Sequence, residues 1–242
     1  MPELPEVEIM MRQLRARLRG RVIRRVEVCD SKIKLNGELR GCRINKVWRR
    51  AKYIIFDFSH GRHLLVHLRM TGWFEFEPPP KYRLALHAGP QSAYFADSRR
   101  FGVVELLFTQ DLIKRLNRLG PEPFGADLQV LKRSTRPIKV ALLDQTLVAG
   151  IGNIYACEAL WRARIDPRQR ADRLRRDEIR RLERSVVAAL QKGLNYGPRI
   201  FQVQEFYVYD RAGRSCRRCG TLIRRIVQAQ RSTWFCPQCQ RR

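Results

Sequence analysis

The sequence predicts a multidomain α+β fold: an antiparallel β-sandwich opened by a helix, then a helical middle, then a small cysteine-bracketed hairpin. Three observations carry this. Apolar residues recur at helical spacing over 5–19, and short β-prone runs separated by turn signals fill 22–108. After Gly120-Pro121-Glu122-Pro123-Phe124-Gly125 the pattern turns helical until two cysteine pairs close the chain.

The opening helix is read from Pro5 in a first turn, from the stripe of Val7, Met11, Leu14 and Leu18, and from Gly20 as its end. The β-prone runs include 53–56, 63–67, 73–76 and 103–107, divided by Gly61, Gly72, Pro78 to Pro80 and Gly89. Several strands at that spacing argue for an antiparallel sandwich with the helix over one edge or face. Helices are expected at 140–147, 154–162 and 178–192, the last with Ile179, Leu182, Val186 and Leu190 on one face and Gly193 as the stop. A β-like run follows at 206–209. The expected division is 1–118, a linker at 119–128, a helical domain at 129–204 and a terminal module at 205–242.

Charge bounds the function. There are 49 Lys and Arg against 23 Asp and Glu, a formal net charge of +26. A soluble surface needs a net magnitude of only about 2 to 8. The excess points to a polyanion, and nucleic acid suits it because each neutralised phosphate releases counterions. The N-terminus lacks the basic start and apolar run of a signal peptide, and no apolar stretch approaches a bilayer span, so a cytoplasmic, nucleoid-associated protein is expected. Seven cysteines without an export signal argue for reduced thiols. Cys29, Cys42 and Cys157 carry no pairing pattern and read as small buried hydrophobes.

Cys216-x2-Cys219 and Cys236-x2-Cys239, sixteen residues apart, have zinc-ribbon spacing. Each pair can reach one tetrahedral ion from a tight knuckle, and Gly220 can take the positive φ that a knuckle needs. Four thiolates leave no open position for water, so the expected cofactor is one structural Zn2+ and catalysis lies elsewhere. Residues 211–242 hold nine arginines and no acidic residue, which suits a surface facing phosphate.

Met1-Pro2-Glu3 is a weak motif with suggestive chemistry. Removal of Met1 exposes a secondary amine of pKa near 8, about a tenth of it unprotonated at neutral pH. Such an amine can attack C1′ of a deoxyribose and form an iminium, with Glu3 beside it to move protons. On these residues alone a plain helix lead-in is the better reading. Gly150-x-Gly152-Asn153 is too short for a nucleotide-binding glycine loop, but glycines before a helix expose N–H groups to phosphate.

Taken together, Met1-Pro2-Glu3-Leu4-Pro5-Glu6-Val7-Glu8, Ala51-Lys52-Tyr53, His67-Leu68-Arg69-Met70-Thr71-Gly72, Arg99-Arg100-Phe101-Gly102, the segment Gly150 to Tyr155, Ala229-Gln230-Arg231-Ser232-Thr233 and the cysteine module resemble the formamidopyrimidine-DNA glycosylase (Fpg/Nei) family, in order and over nearly the whole chain. The resemblance implies a β-sandwich, a helix-two-turn-helix middle domain, a zinc β-hairpin and a bifunctional DNA glycosylase/AP lyase acting on damaged double-stranded DNA. It implies a single chain without membrane or small-molecule cofactor. By similarity Pro2 is the Schiff-base nucleophile and Glu3 the acid/base. Lys52 assists β-elimination or binds phosphate, and Arg231 clasps phosphate and assists δ-elimination. His67, Lys139 and Asn153 contact DNA, while Met70, Arg99 and Phe101 enter the duplex to fill the place of the everted nucleotide.

The chain departs from the family pattern in four places. The region 193–205 is short where a loop caps the flipped base in 8-oxoguanine-excising members. Arg69 stands where glycine is usual, Ser98 where proline is common, and Tyr82 near a position that often holds a DNA-binding histidine. The nucleophile and wedge are kept while the pocket changes. Oxidised pyrimidines, ring-opened purines, hydantoins and bulky adducts all stay open as substrates, and an abasic-site lyase with little base excision and a non-catalytic zinc-containing DNA-binding protein stay open as rivals.

Overall fold

In the computed structural model, which describes residues 2–33, 35–197 and 205–241, the chain forms two compact units, Met1–Arg118 and Leu119–Arg242. In the first, α1 (Leu4–Leu18) begins with Pro5 in its first turn, and Gly20 follows its end at φ 79°. Eight strands follow: β1 (Arg25–Val28), β2 (Ile44–Arg50), β3 (Tyr53–Phe58), β4 (Arg62–His67), β5 (Trp73–Glu75), β6 (Leu84–Ala88), β7 (Gln91–Ala96) and β8 (Val103–Phe108). They make two four-stranded antiparallel sheets, ordered β1-β6-β7-β5 and β2-β3-β4-β8. Both sheets and α1 share one core, to which α1 contributes Val7, Met10, Met11, Leu14 and Leu18. Burying each such side chain contributes about 1.5 to 3 kcal/mol.

The near-continuous apolar runs of β3 and β4 have a physical cause. Ile54 and Phe56 face the shared core, whereas Ile55 and Leu65 pack on the other side against Leu112 of α2 (Thr109–Leu116). A strand buried on both faces loses its alternation. Cys29 corrects the expectation for the unpaired cysteines: it is exposed and Cys42 only partly covered, so Cys157 alone of the three is a buried hydrophobe.

The second unit holds a 3-10 turn (Leu128–Arg133), α3 (Ile138–Leu142), α4 (Asn153–Ala163), α5 (Arg176–Asn195), and the hairpin β9 (Arg224–Gln228) and β10 (Arg231–Phe235). The helix expected at 140–147 lies earlier and stops at Leu142. Asp144 takes the Thr146 N–H and hydroxyl at 2.9 and 2.7 Å, and this local turn replaces the next helical turn. Gly193 does not stop α5, which carries it buried and continues to Asn195.

The β-like run at 206–209 is no strand. Its N–H groups go to a carboxylate: Glu158 on α4 accepts from Tyr207, Val208 and Tyr209 at 2.8 to 3.1 Å. Burial raises the Glu158 carboxyl above its usual range, although those three N–H groups pull it down. The apolar side chains of 207–209 join Trp161 and Trp234 instead of a sheet.

Candidate active site and nucleic-acid interface

In the first unit the candidate residues lie at the start of α1 and on loops at strand ends. Pro2 and Glu3 are buried at the helix entry, and the Glu3 N–H donates to Glu6 Oε2 at 2.8 Å, which fixes the chain direction at the N-terminus. Glu8, one turn further on, pairs with Arg49 at 2.8 Å and so fastens α1 to the end of β2. Burial works to raise the Glu8 carboxyl, but the Arg49 and Arg12 guanidiniums hold it below the usual range.

Lys52 follows directly. It occupies a two-residue hairpin tip, because Arg50 pairs with Tyr53 and Ala51 turns at φ 52°. Tyr53 in turn pairs with His67 at the end of β4, their rings edge to face at 5.0 Å. His67 is pushed down to about 3, first by burial and then by the charges of Arg69 and Lys52. Its Nδ1 accepts the Arg69 N–H at 3.0 Å, so the neutral ring carries its proton on Nε2 as a donor. Helix entry, lysine tip and histidine are thus linked through adjacent strands.

Met70 and Phe101 are exposed large hydrophobics, and the Arg99 guanidinium lies 4.9 Å from the Phe101 ring centroid. Arg69 turns the chain before Met70 at φ 56°, the left-handed region that glycine takes without strain.

The second unit assembles another group. Asn153 is the first residue of α4, preceded by Gly152, so its side chain sits at the positive end of the helix dipole. Its Nδ2 donates to the Ser232 carbonyl at 3.0 Å, and Lys139, fully buried, reaches the same oxygen at 3.5 Å. Asn153 Oδ1 is buried without a partner among the described residues. Arg231 stands next to that carbonyl, exposed, at the start of β10. Ala229 and Gln230 form the preceding turn at φ 45° and 60°, a tight hairpin held by residues that are not glycine. Lys139, Asn153 and Arg231 therefore converge on one backbone segment. Sequence reasoning missed the Ser232 carbonyl that joins them, since a backbone acceptor has no side-chain signal.

The four cysteine sulfurs lie within 4.8 Å of one another. Each knuckle closes on a backbone bond, Gly220 N to Cys216 O at 2.9 Å and Gln240 N to Cys236 O at 3.0 Å, with Gly220 at φ 76° as expected. The Trp161 indole and the Arg218 N–H point at Cys216 Sγ, and the Cys239 N–H at Cys236 Sγ, at 3.4 to 3.5 Å. Thr221 draws the Cys219 thiol down to about 6 while burial pushes Cys239 up to about 12, a conflict that a divalent cation removes by charging all four sulfurs alike. An all-thiolate set within tetrahedral reach fits one structural zinc and no open coordination position.

Three family models match successive parts of the chain. The formamidopyrimidine-DNA glycosylase N-terminal domain matches residues 1–104, its H2TH domain 119–205, and the zinc finger found in FPG and IleRS 215–242. The chain belongs to the formamidopyrimidine-DNA glycosylase family. With it the chain joins the DNA glycosylases and abasic-site lyases of base excision repair, and its cysteine cluster is a structural zinc site. The formamidopyrimidine-DNA glycosylase of a Thermus thermophilus strain is 41% identical over 263 aligned positions, covering 99% of this chain and 98% of that one. A Lactococcus lactis enzyme solved non-covalently bound to AP-site DNA superposes with TM-score 0.91 at 36% identity over the whole of both chains. MutM solved with DNA containing carbocyclic 8-oxo-G gives TM-score 0.90 at 35% identity, again over both whole chains. Among the described residues, no helix is long and apolar enough to cross a membrane.

Proposed function

We propose that the enzyme excises damaged bases from duplex DNA through a Schiff base to Pro2 and then cuts the strand by β,δ-elimination. The observation that carries this is the buried Pro2-Glu3 entry of α1, fastened through Glu8 and Arg49 to the hairpin whose tip is Lys52. The Pro2 nitrogen lone pair attacks C1′, the bond from C1′ to the base breaks, and the base leaves with those electrons and a proton. The C1′–O4′ bond then breaks as the nitrogen lone pair forms C1′=N and O4′ takes a proton, and the resulting iminium acidifies C2′–H. Loss of that proton breaks the 3′ C–O bond, and a second elimination breaks the 5′ C–O bond. Glu3 is proposed to move protons at the sugar and Lys52 to assist the first elimination, with Arg231 assisting the second. His67, Lys139 and Asn153 are proposed phosphate contacts, and Met70, Arg99 and Phe101 the wedge.

The division into 1–118, a 119–128 linker, 129–204 and 205–242 is part of the same proposal, as is action as a single chain in the cytoplasm on nucleoid DNA. The pocket is proposed to be altered. The 193–205 region expected to be short falls partly on residues 198–204, outside the described residues. The alignment to the Thermus protein nevertheless spans 263 positions against a chain of 242 residues, so at least 21 of them face gaps. A second reading, abasic-site lyase activity with little base excision, rests on the proposed shortness of 193–205.

The test is borohydride trapping on an abasic-site duplex with the mature protein, a Pro2→Gly variant and an N-terminally acetylated form. A covalent adduct with wild type and none with the acetylated form is expected. No adduct with wild type refutes the proline mechanism. A panel of lesion duplexes then separates glycosylase from pure lyase.

A further inference from the structure

Met70 lies on the loop before β5, and Arg99 and Phe101 lie on the loop after β7. Trp73 pairs with Ala96, so the two antiparallel strands bring the loops out side by side. Both loops rest on one ring. A Cβ at Gly72 would stand 2.9 Å from Phe95, and one at Gly102 would stand 2.6 Å from it, so neither glycine tolerates a side chain without displacing that buried phenyl.

Between the loops runs a buried polar network. The Asp97 side chain is fully buried, its Oδ1 accepting the Thr71 hydroxyl at 2.5 Å and its Oδ2 accepting the Gly102 N–H at 2.7 Å. Thr71 Oγ1 also receives the Arg99 N–H at 3.3 Å. Arg83 Nη1 donates to Asp97 Oδ2 at 3.0 Å and to the Gly102 carbonyl at 2.7 Å, while its Nε donates to Asp30 Oδ2 at 2.5 Å. Asp30 is gripped from the other side by Arg100, the residue between Arg99 and Phe101, which turns at φ 55°. One carboxylate thus touches both loops, and a guanidinium locks it in place.

Stability alone does not call for this arrangement. Two carboxylates and a guanidinium taken out of water gain little over apolar residues of the same volume, but they specify geometry closely. What they specify here is the spacing between Met70 on one loop and Arg99 and Phe101 on the other.

We propose that Asp97, locked by Arg83 and coupled through the Thr71 hydroxyl, is a positioning residue that holds the two loops as one preformed wedge. This rests on the reading that Met70, Arg99 and Phe101 enter the duplex. A wedge already assembled loses less freedom on binding than two loops that must find each other, so the network acts on eversion and not on the chemistry at the sugar.

Four proteins test it: wild type, Thr71→Val, Thr71→Ser and the triple Met70→Ala/Arg99→Ala/Phe101→Ala. Each is assayed for borohydride trapping on an abasic-site duplex, for 2-aminopurine fluorescence opposite a tetrahydrofuran site, and for trapping on a single-stranded abasic oligonucleotide, which has no stack to wedge. Thr71→Val keeps the shape and removes the bond to Asp97. It is expected to slow duplex trapping about tenfold at subsaturating DNA and to weaken the 2-aminopurine response. Single-strand trapping should hold and Thr71→Ser should recover the wild-type rate. Wild-type duplex trapping by Thr71→Val, with the triple variant defective, overturns the positioning role. Equal losses on duplex and single strand also overturn it, since they indicate a merely structural bond. A triple variant that traps duplex at the wild-type rate instead refutes the wedge reading on which the proposal stands.

Discussion

The Asn153 side-chain amide donates to the Ser232 carbonyl at 3.0 Å, tying the first residue of α4 to the residue that follows Arg231. Asn153→Ala removes the amide from that oxygen and keeps Lys139 on it. Loss of one such bond, and of one donor at the helix start, is expected to weaken binding to an abasic-site duplex roughly tenfold, about 1.5 kcal/mol. Asn153→Asp sets a carboxylate against a carbonyl oxygen and should cost more. Fluorescence anisotropy checks both, and unchanged affinity in both variants removes Asn153 from the interface.

Zinc loss should be visible from inside the protein. Trp161 donates to Cys216 Sγ at 3.4 Å and packs in one cluster with Cys157, Val208, Ile223, Trp234 and Cys236. Metal analysis is expected to find one zinc per chain. Stripping it with a chelator, or Cys219→Ser, should shift tryptophan emission and weaken duplex binding at least tenfold, with zinc restoring the stripped wild type, because structural zinc contributes directly to folding. A metal-free protein with unchanged emission and affinity contradicts the structural role.

Arg69 holds the left-handed conformation at φ 56° with a side chain that exposes it to steric strain. Arg69→Gly removes about 1 to 2 kcal/mol of that strain and returns part of it as extra freedom of the unfolded chain. A net gain of about 0.5 to 1 kcal/mol is expected, a rise of about 2 °C in Tm for a chain of this size. A lower Tm would show that the Arg69 side chain contributes contacts that outweigh its backbone.

Much of the fold was legible because it rests on periodicity. The stripe of Val7, Leu14 and Leu18 places α1, the turn signals separate the strands, and the cysteine spacing places the hairpin. Two of the misreadings share a cause: a side chain took backbone groups that a propensity argument leaves to helix or strand. Asp144 ends α3 early, and Glu158 takes the N–H groups of 207–209. Neither carboxylate differs in sequence from a surface acid. The candidate residues were found through their flanking motifs, whereas Arg83, Asp30 and Asp97 were missed, since charged residues beside strands read as solvated until the fold buries them. Asp97, two residues before Arg99, was the nearest available signal.

His67 supplies the pH prediction. Burial first, then the charges of Arg69 and Lys52, push its imidazole down to about 3, so the folded protein keeps it neutral well below the usual imidazole range. The unfolded chain binds the proton near pH 6.5. Protons therefore favour unfolding: His67 leaves stability unaffected above about pH 6.5 and lowers it as pH falls from there toward 3. For DNA the consequence is a neutral Nε2–H donor and no titrating cation. The pH dependence of duplex affinity between pH 5.5 and 7.5 should have the same slope in wild type and in His67→Gln, which keeps a donor amide, and the imidazole resonances should not shift across that range. A slope that flattens in His67→Gln would mean that His67 gains its proton when phosphate arrives, and that the interface recruits it as a charge.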